Sequence, residues 1–277
     1  MKKQRNIASI VLRLCMILSI IFTIGILVIL IGYILLKGIP HLSLDLFAWE
    51  YTVENQSMMP VIINTLIMTG LTLAMALPFG IGAAIYMVEY VGQENRLVQI
   101  IRMTAETLAG IPSIVFGLFG FLMFSIALGW NYSLLSGAMT LAIMILPLIM
   151  RTAEEALLGV PKSYRQASFG LGVGKVRTIL RIVLPAAAPG ILAGVILSIG
   201  RIVGETAALL FTAGTNPEIP TSVMDSTRTL SVHMYALLNE GLHQEAAYAT
   251  AVVLLVFIIA INGLSSLIAG RLAAGRD

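Results

Sequence analysis

The chain has 277 residues, of which 58% are hydrophobic and only 11% charged, with a mean hydropathy of +0.95. A water-soluble domain of this size carries roughly a quarter charged residues, so a soluble globular fold is excluded and membrane integration is the starting point. The net charge of +3 does not indicate nucleic acid, because the basic residues punctuate apolar runs instead of forming a face, and the single Cys15 offers neither a disulfide framework nor a metal cluster.

About 20 mostly apolar residues cross a bilayer, and the sequence predicts spans near 14–36, 61–87, 111–129, 134–150, 186–211 and 246–269. The opening MKKQRN leads into an apolar run that continues to Leu36 without a small-residue cleavage site. That is longer than the apolar part of a signal peptide, so the first helix is expected to be retained. Lys2, Lys3, Arg5 and Arg13 place the N-terminus in the cytoplasm, and six spans return Arg271 and Arg276 to the same side. On this topology Lys37 and Arg228 fall in outer loops and Arg201 inside a span, while Asp45, Glu50, Glu54, Glu218, Asp225, Glu240 and Glu245 all lie outside. The chain divides into an N-terminal helix with its outer segment, residues 1–60, and a five-helix core, residues 61–277.

In the outer segment Trp49 and Tyr51 suit a membrane interface. Pro78, Gly80 and Gly82 are expected to loosen the inner half of the second span. A short polar turn follows, and then an amphipathic helix from Asn95 to Thr107 at the inner surface. There Arg102 and Glu106 have the spacing of a solvated helical ion pair. Gly110, Gly117 and Gly120 around the third span are expected to be packing positions. The fourth span holds Pro147 and ends at Arg151.

Residues 151–185 form the main cytoplasmic loop, expected as two short helices broken at glycines. Its GLGVGKV is not a phosphate loop: Phe169 stands where the first glycine belongs, and Val176 where Ser or Thr should follow Lys175. Any ATPase is therefore expected on another subunit, with ATP and Mg bound there and not by this chain. The loop reads Gln166-Ala167-Ser168, three residues, Gly172, nine residues, Ile182, one residue, Leu184-Pro185. This register resembles the EAA loop of ABC-importer permeases, with Gln166 and Ser168 replacing the first Glu and the second Ala. The resemblance implies that Gln166, Ala167, Ser168, Gly172, Ile182, Leu184 and Pro185 belong to a coupling segment that docks on the ATPase.

The fifth span carries Arg201, with Glu205 four residues on. Charges at that depth cost about 2.5–3.5 kcal/mol each on insertion scales and are usually paired or functional. At about 100° per residue, Gly190, Gly194, Arg201, Gly204 and Glu205 share one face, which should point into protein. A guanidinium receives phosphate oxygens in a bidentate fork. A packing pair between Arg201 and Glu205 and a substrate role for Arg201 both fit this chemistry. In the outer segment from Thr212 to Glu245, His233 and His243 read as ordinary loop residues, as does His41 before it.

PFGIGAAIYMVEY, LAGIPSIVFG, the EAA-like loop and RIVGETAALLFTAG together resemble the PstA-type permease of bacterial phosphate ABC importers, over nearly the whole chain. The resemblance implies an all-α membrane protein with six transmembrane helices and the type I ABC importer permease (MetI-like) fold. It further implies a PstC-type permease partner, two ATPase subunits, an extracytoplasmic phosphate-binding protein, and a place for Arg201 and Glu205 on the phosphate path. The surroundings expected are membrane lipid of the bacterial inner membrane, with no metal and no nucleic acid. A secondary transporter, or a permease for another small solute, is the competing reading.

Overall fold

Within a bilayer the backbone has no water to pair with, so an apolar chain of this kind satisfies its amides internally, as helices. A computed structural model of the chain describes residues 7–92, 95–241 and 243–274, and no strand occurs among them. The helices are α1 (Ile7–Gly38), α2 (Met59–Ile85), α3 (Arg96–Ala109), α4 (Ser113–Gly120), α5 (Leu134–Leu158) and α6 (Lys162–Gly170). They continue with α7 (Lys175–Thr178), α8 (Leu184–Gly204), α9 (Ala207–Thr212), α10 (Leu230–Glu240) and α11 (Gln244–Ala274). Five are long and apolar enough to cross a membrane, and the count is six if the bent pair of α3 and Ser113–Ala127, which meet at 100°, is one span. Lys2, Lys3, Arg5, Arg276, the Arg271 side chain and residues 93 and 94 of the polar turn lie outside the described residues.

The core is built around α5, whose Leu141, Met144, Ile145 and Ile149 are fully buried against α2, α8 and α9. Close approach is bought by glycine. A Cβ on Gly80 would stand 2.6 Å from Ile149 Cγ2, so this glycine seats α2 against α5 and does not loosen it, contrary to the sequence reading; α2 also runs on through Pro78. A Cβ on Gly190 would stand 2.7 Å from Ala156 Cβ, which turns the small-residue face of α8 onto α5 as expected. Gly117 packs in the same way on α9, at 2.9 Å from Ala208 Cα. By contrast α1 is exposed along most of its length and lies beside α11.

Two predicted spans differ in the structure. The third is short, because α4 passes into a π-helical turn, Phe121–Ala127, and stops. The fifth does not reach residue 211 as one helix. It starts in α7, passes through a π-helical turn at Ile179–Val183 and ends at Gly204. Glu205 is extended, with φ −74° and ψ 128°, and a separate short helix, α9, follows. Nor is the outer segment all loop: α10 lies in it, and His233 on α10 is completely buried.

Candidate functional site

The break after Gly204 decides the chemistry of the fifth span. It leaves Arg201 in the last turn of α8 and puts Glu205 just before α9, where its Oε1 accepts from the backbone N–H of Ala208 at 3.2 Å. A cation at a helix C-terminus and a carboxylate at an N-terminus are each favoured by the peptide dipoles. The two charges are therefore stabilised by separate helix ends instead of by each other. No ion pair joins Arg201 to Glu205, or to any other acid among the described residues, so of the two readings left open the packing pair is not formed, and Glu205 leaves the helical face expected for it. The Ser231 hydroxyl donates to the carbonyl of Glu205 at 2.6 Å and holds the break in place.

Arg201 opens into a cavity of about 600 Å³ between α3, α5 and α8. Arg102, Glu106, Arg151, Glu154 and Glu155 line it as well, with Pro147 in its wall. The formal charges on these walls balance, but their pairing is uneven. Arg102 donates Nε to the buried carboxylate of Glu154 at 2.8 Å, and its Nη2 reaches the same oxygen. The sequence had suggested Glu106 as its partner; the helical spacing is right, but the buried Glu154 across the α3–α5 contact gives a less screened attraction. Arg151 instead holds Glu155 at 3.1 Å and lies 4.0 Å from Glu106. Arg201 is left as the guanidinium in this cavity without a carboxylate. Arg102 and Arg151 were not singled out for this wall from sequence, because their helices meet α8 only in the folded chain.

The loop residues fall at the other end of α8. Gly172 sits between α6 and α7 with φ +75°, a conformation that costs little only without a Cβ. Ser168 is buried, its hydroxyl 2.8 Å from that of Thr178, which closes α6 onto α7. Gln166 and Ala167 are exposed, Ile182 is half-buried, Leu184 packs against the cluster of Ala153, Leu157 and Val183, and Pro185 opens α8. The GLGVGKV stretch joins two helices, and Lys175 Nζ lies 4.5 Å from the centre of the Tyr90 ring.

Arg165 fixes this unit to the core. Its Nε and Nη2 donate to Glu89 Oε1 at 2.9 and 2.5 Å, and it also donates to the carbonyls of Val160 at 2.9 Å and Leu157 at 3.0 Å. The Leu157 carbonyl belongs to the last turn of α5, where a helix lacks internal donors, and that of Val160 lies just past the helix end. Glu89 lies in the π-helical turn Tyr86–Val91 that prolongs α2. One side chain thus binds α6 to two spans. Outside this anchorage Tyr164, Phe169, Leu171 and Val176 are exposed apolar side chains on a basic surface that carries Lys162 and Arg177.

A family model of the binding-protein-dependent transport system inner membrane component matches residues 76–274, more than half of the chain. The chain is 32% identical to the probable ABC transporter permease protein YqgI of Bacillus subtilis, over 90% of this chain and 92% of that protein. It is 34% identical to the phosphate transport system permease protein PstA of Haemophilus influenzae, over 82% of this chain and 81% of that protein. Among solved structures it is similar to a bacterial alginate ABC transporter in complex with an alginate-bound periplasmic protein. The TM-score there is 0.72 at 16% identity, covering 96% of each chain. The inward-facing MetNI methionine ABC transporter matches with a TM-score of 0.62 at 17% identity, over 78% of this chain and 94% of that one. These similarities carry the fold of an ABC importer permease.

Proposed function

This chain belongs to the binding-protein-dependent transport system inner membrane components, and from that premise we propose that it forms half of a heterodimeric pore importing inorganic phosphate. The relatives named PstA support the substrate. Within the chain, one observation carries it: Arg201 lines the cavity between α3, α5 and α8 and makes no ion pair among the described residues, whereas Arg102 and Arg151 beside it are paired. A guanidinium without a counter-ion, out of bulk water, favours an anion strongly.

In this reading Arg201 takes phosphate oxygens as the pore alternates, and Glu205 positions the helix break instead of touching the ion. A second permease of the PstC type completes the pore. Two separate ATPase subunits bind ATP and Mg and drive it, and an extracytoplasmic binding protein delivers the phosphate. The coupling unit from Gln166 to Pro185 offers the ATPase its exposed apolar and basic face, and Gly172 sets the angle between its two helices. The N- and C-termini are cytoplasmic. Reporter fusions after Arg151 are expected to read cytoplasm and fusions at Thr229 the outside; a cytoplasmic signal at Thr229 reverses the assignment.

The substrate assignment is tested with Arg201→Gln in the assembled transporter. Because no acid loses a partner, the complex should assemble and retain its ATPase subunits, while phosphate uptake falls at least a hundredfold. Uptake near the wild-type rate removes Arg201 from the path. Uptake of a competing solute instead of phosphate by the wild type leaves the permease assignment standing and replaces the substrate.

A further inference from the structure

A second arginine, remote from the coupling unit, is more deeply buried than Arg201 and also has no acidic partner. Arg228 precedes α10 and is 4% exposed. No ion pair or side-chain hydrogen bond reaches its guanidinium among the described residues, and its Nε is fully shielded. Its nearest organised neighbour is the ring of Tyr51, 5.2 Å from the guanidinium carbon. The edge of His233 meets the same ring at 6.1 Å between centroids. A π face softens the burial of a cation but takes none of its five N–H groups.

The groups around Arg228 are unsatisfied too. The hydroxyl of Thr227 and Oδ1 of Asn64 are buried without a partner, and of the two buried ring nitrogens of His233 one faces the backbone of Gln56 and the other is left over. Asn64 is tied to the same place by its Nδ2, which donates to the carbonyls of Glu218 at 3.0 Å and Arg228 at 3.4 Å. A buried lone charge with orphaned polar atoms on the residues packed beside it is costly for packing alone. An oxyanion would satisfy them together.

We propose that Arg228, with Thr227, His233 and Asn64, forms a second oxyanion-binding station, where hydrogen phosphate is held on the outer side before it reaches Arg201. This deepens the phosphate reading and rests on it for the identity of the ion. Phosphate near neutral pH keeps at least one P–OH. The station offers both kinds of partner it needs: Arg228 and the Thr227 hydroxyl donate to the bare oxygens, and Asn64 Oδ1 accepts the proton. His233 adds an acceptor nitrogen, because burial, reinforced by Arg228, lowers its pKa to about 3 and keeps the ring neutral. Sulfate has no proton to give and would leave those acceptors unpaired.

The location fits a route. Outside lies a cavity of about 790 Å³ whose wall includes Thr52, Asn55 and Gln56 together with the carboxylates Asp45, Glu54 and Glu245. The Tyr51 hydroxyl donates to Gln56 Oε1 at 2.9 Å, so this pair stands between that cavity and Arg228. On the inner side, Ser231 touches the break at Glu205, four residues from Arg201.

Equilibrium dialysis of radiolabelled inorganic phosphate against the purified transporter complex, without its binding protein, tests the proposal. Arg228→Gln should raise the dissociation constant about tenfold or more, the loss expected for a charged hydrogen bond. Arg228→Lys should fall between the two, and sulfate should compete at least about tenfold more weakly than phosphate. Because Arg228 has no acid to orphan among the described residues, Arg228→Gln should still assemble. Phosphate binding unchanged in Arg228→Gln overturns the station, as does binding lost in Arg201→Gln but not in Arg228→Gln. Two further results overturn it: no saturable phosphate binding by the wild type, which means water alone satisfies the guanidinium, and failure of both Arg228 variants to assemble, which makes Arg228 a folding residue. Absence of phosphate uptake by the wild type refutes the substrate reading instead.

Discussion

Arg165 on α6 and Arg201 at the end of α8 bring the same guanidinium into different surroundings. Arg165 spends its donors on Glu89 and on two carbonyls at the end of α5, with distances from 2.5 to 3.2 Å. Arg201 faces a cavity and has no ion pair among the described residues. A saturated guanidinium transmits position, because moving it breaks several bonds at once. An unsaturated one is free to receive something. Under the proposed function, then, the number of partners separates the arginine that couples from the arginine that binds.

That contrast gives an ordered set of expected effects below the loss of uptake in Arg201→Gln. Glu89→Gln strips a largely buried pair of one charge and should cost about 3 kcal/mol locally. The thermal midpoint of the purified complex should fall, and substrate stimulation of the ATPase should weaken while α8 and its cavity stay intact. Adding Arg165→Met should recover part of the lost stability but not the stimulation. Full recovery of both would mean that the pair does not couple.

Next comes pH. His233 has a folded pKa near 3 against 6.5 in an unfolded chain. Above about pH 6.5 both states are neutral and the contribution is flat. As pH falls below 6.5 the unfolded state takes up a proton that the fold refuses, so stability declines until about pH 3. At pH 5 the loss should be about 2 kcal/mol, and His233→Gln should flatten that part of the profile; an identical slope in the variant would show that other groups titrate. The smallest effect is Gly172→Ala. No atom lies within 4 Å of the added Cβ, so the expected cost of about 1 kcal/mol comes from φ +75° alone. It should appear as weaker ATPase coupling with normal membrane insertion.

Much of this was legible in the sequence because hydrophobic length and glycine spacing are local signals. The long apolar runs gave the spans, and Gly190 and Gly194 gave the face that meets α5. The pause at Gly204-Glu205-Thr206 was harder to see, because apolar residues continue on both sides and no proline marks the break. Treating the run as one helix placed Glu205 on Arg201's face. The pairing of Arg102 with Glu154 crosses 52 residues of chain, whereas the spacing to Glu106 is a local pattern that the sequence displays. Arg228 and His233 looked like solvated loop residues for the opposite reason. Polar residues outside the predicted spans carry no signal of burial, and α10 folds over them only with Tyr51 and Asn64 in place.

A π-helical turn at Ile179–Val183 lies within the coupling unit, between α7 and the start of α8. A π turn holds one residue more than the α turn it interrupts, and one residue corresponds to about 100° of helical phase. The orientation of α7, and of α6 closed onto it, relative to α8 is therefore set as a phase offset: a single surplus residue at this junction decides which face of the unit is turned outward. Such an offset is discrete. It cannot drift by small side-chain adjustments, only by gaining or losing a whole residue, so the outward face is kept constant while the side chains on it remain free to vary.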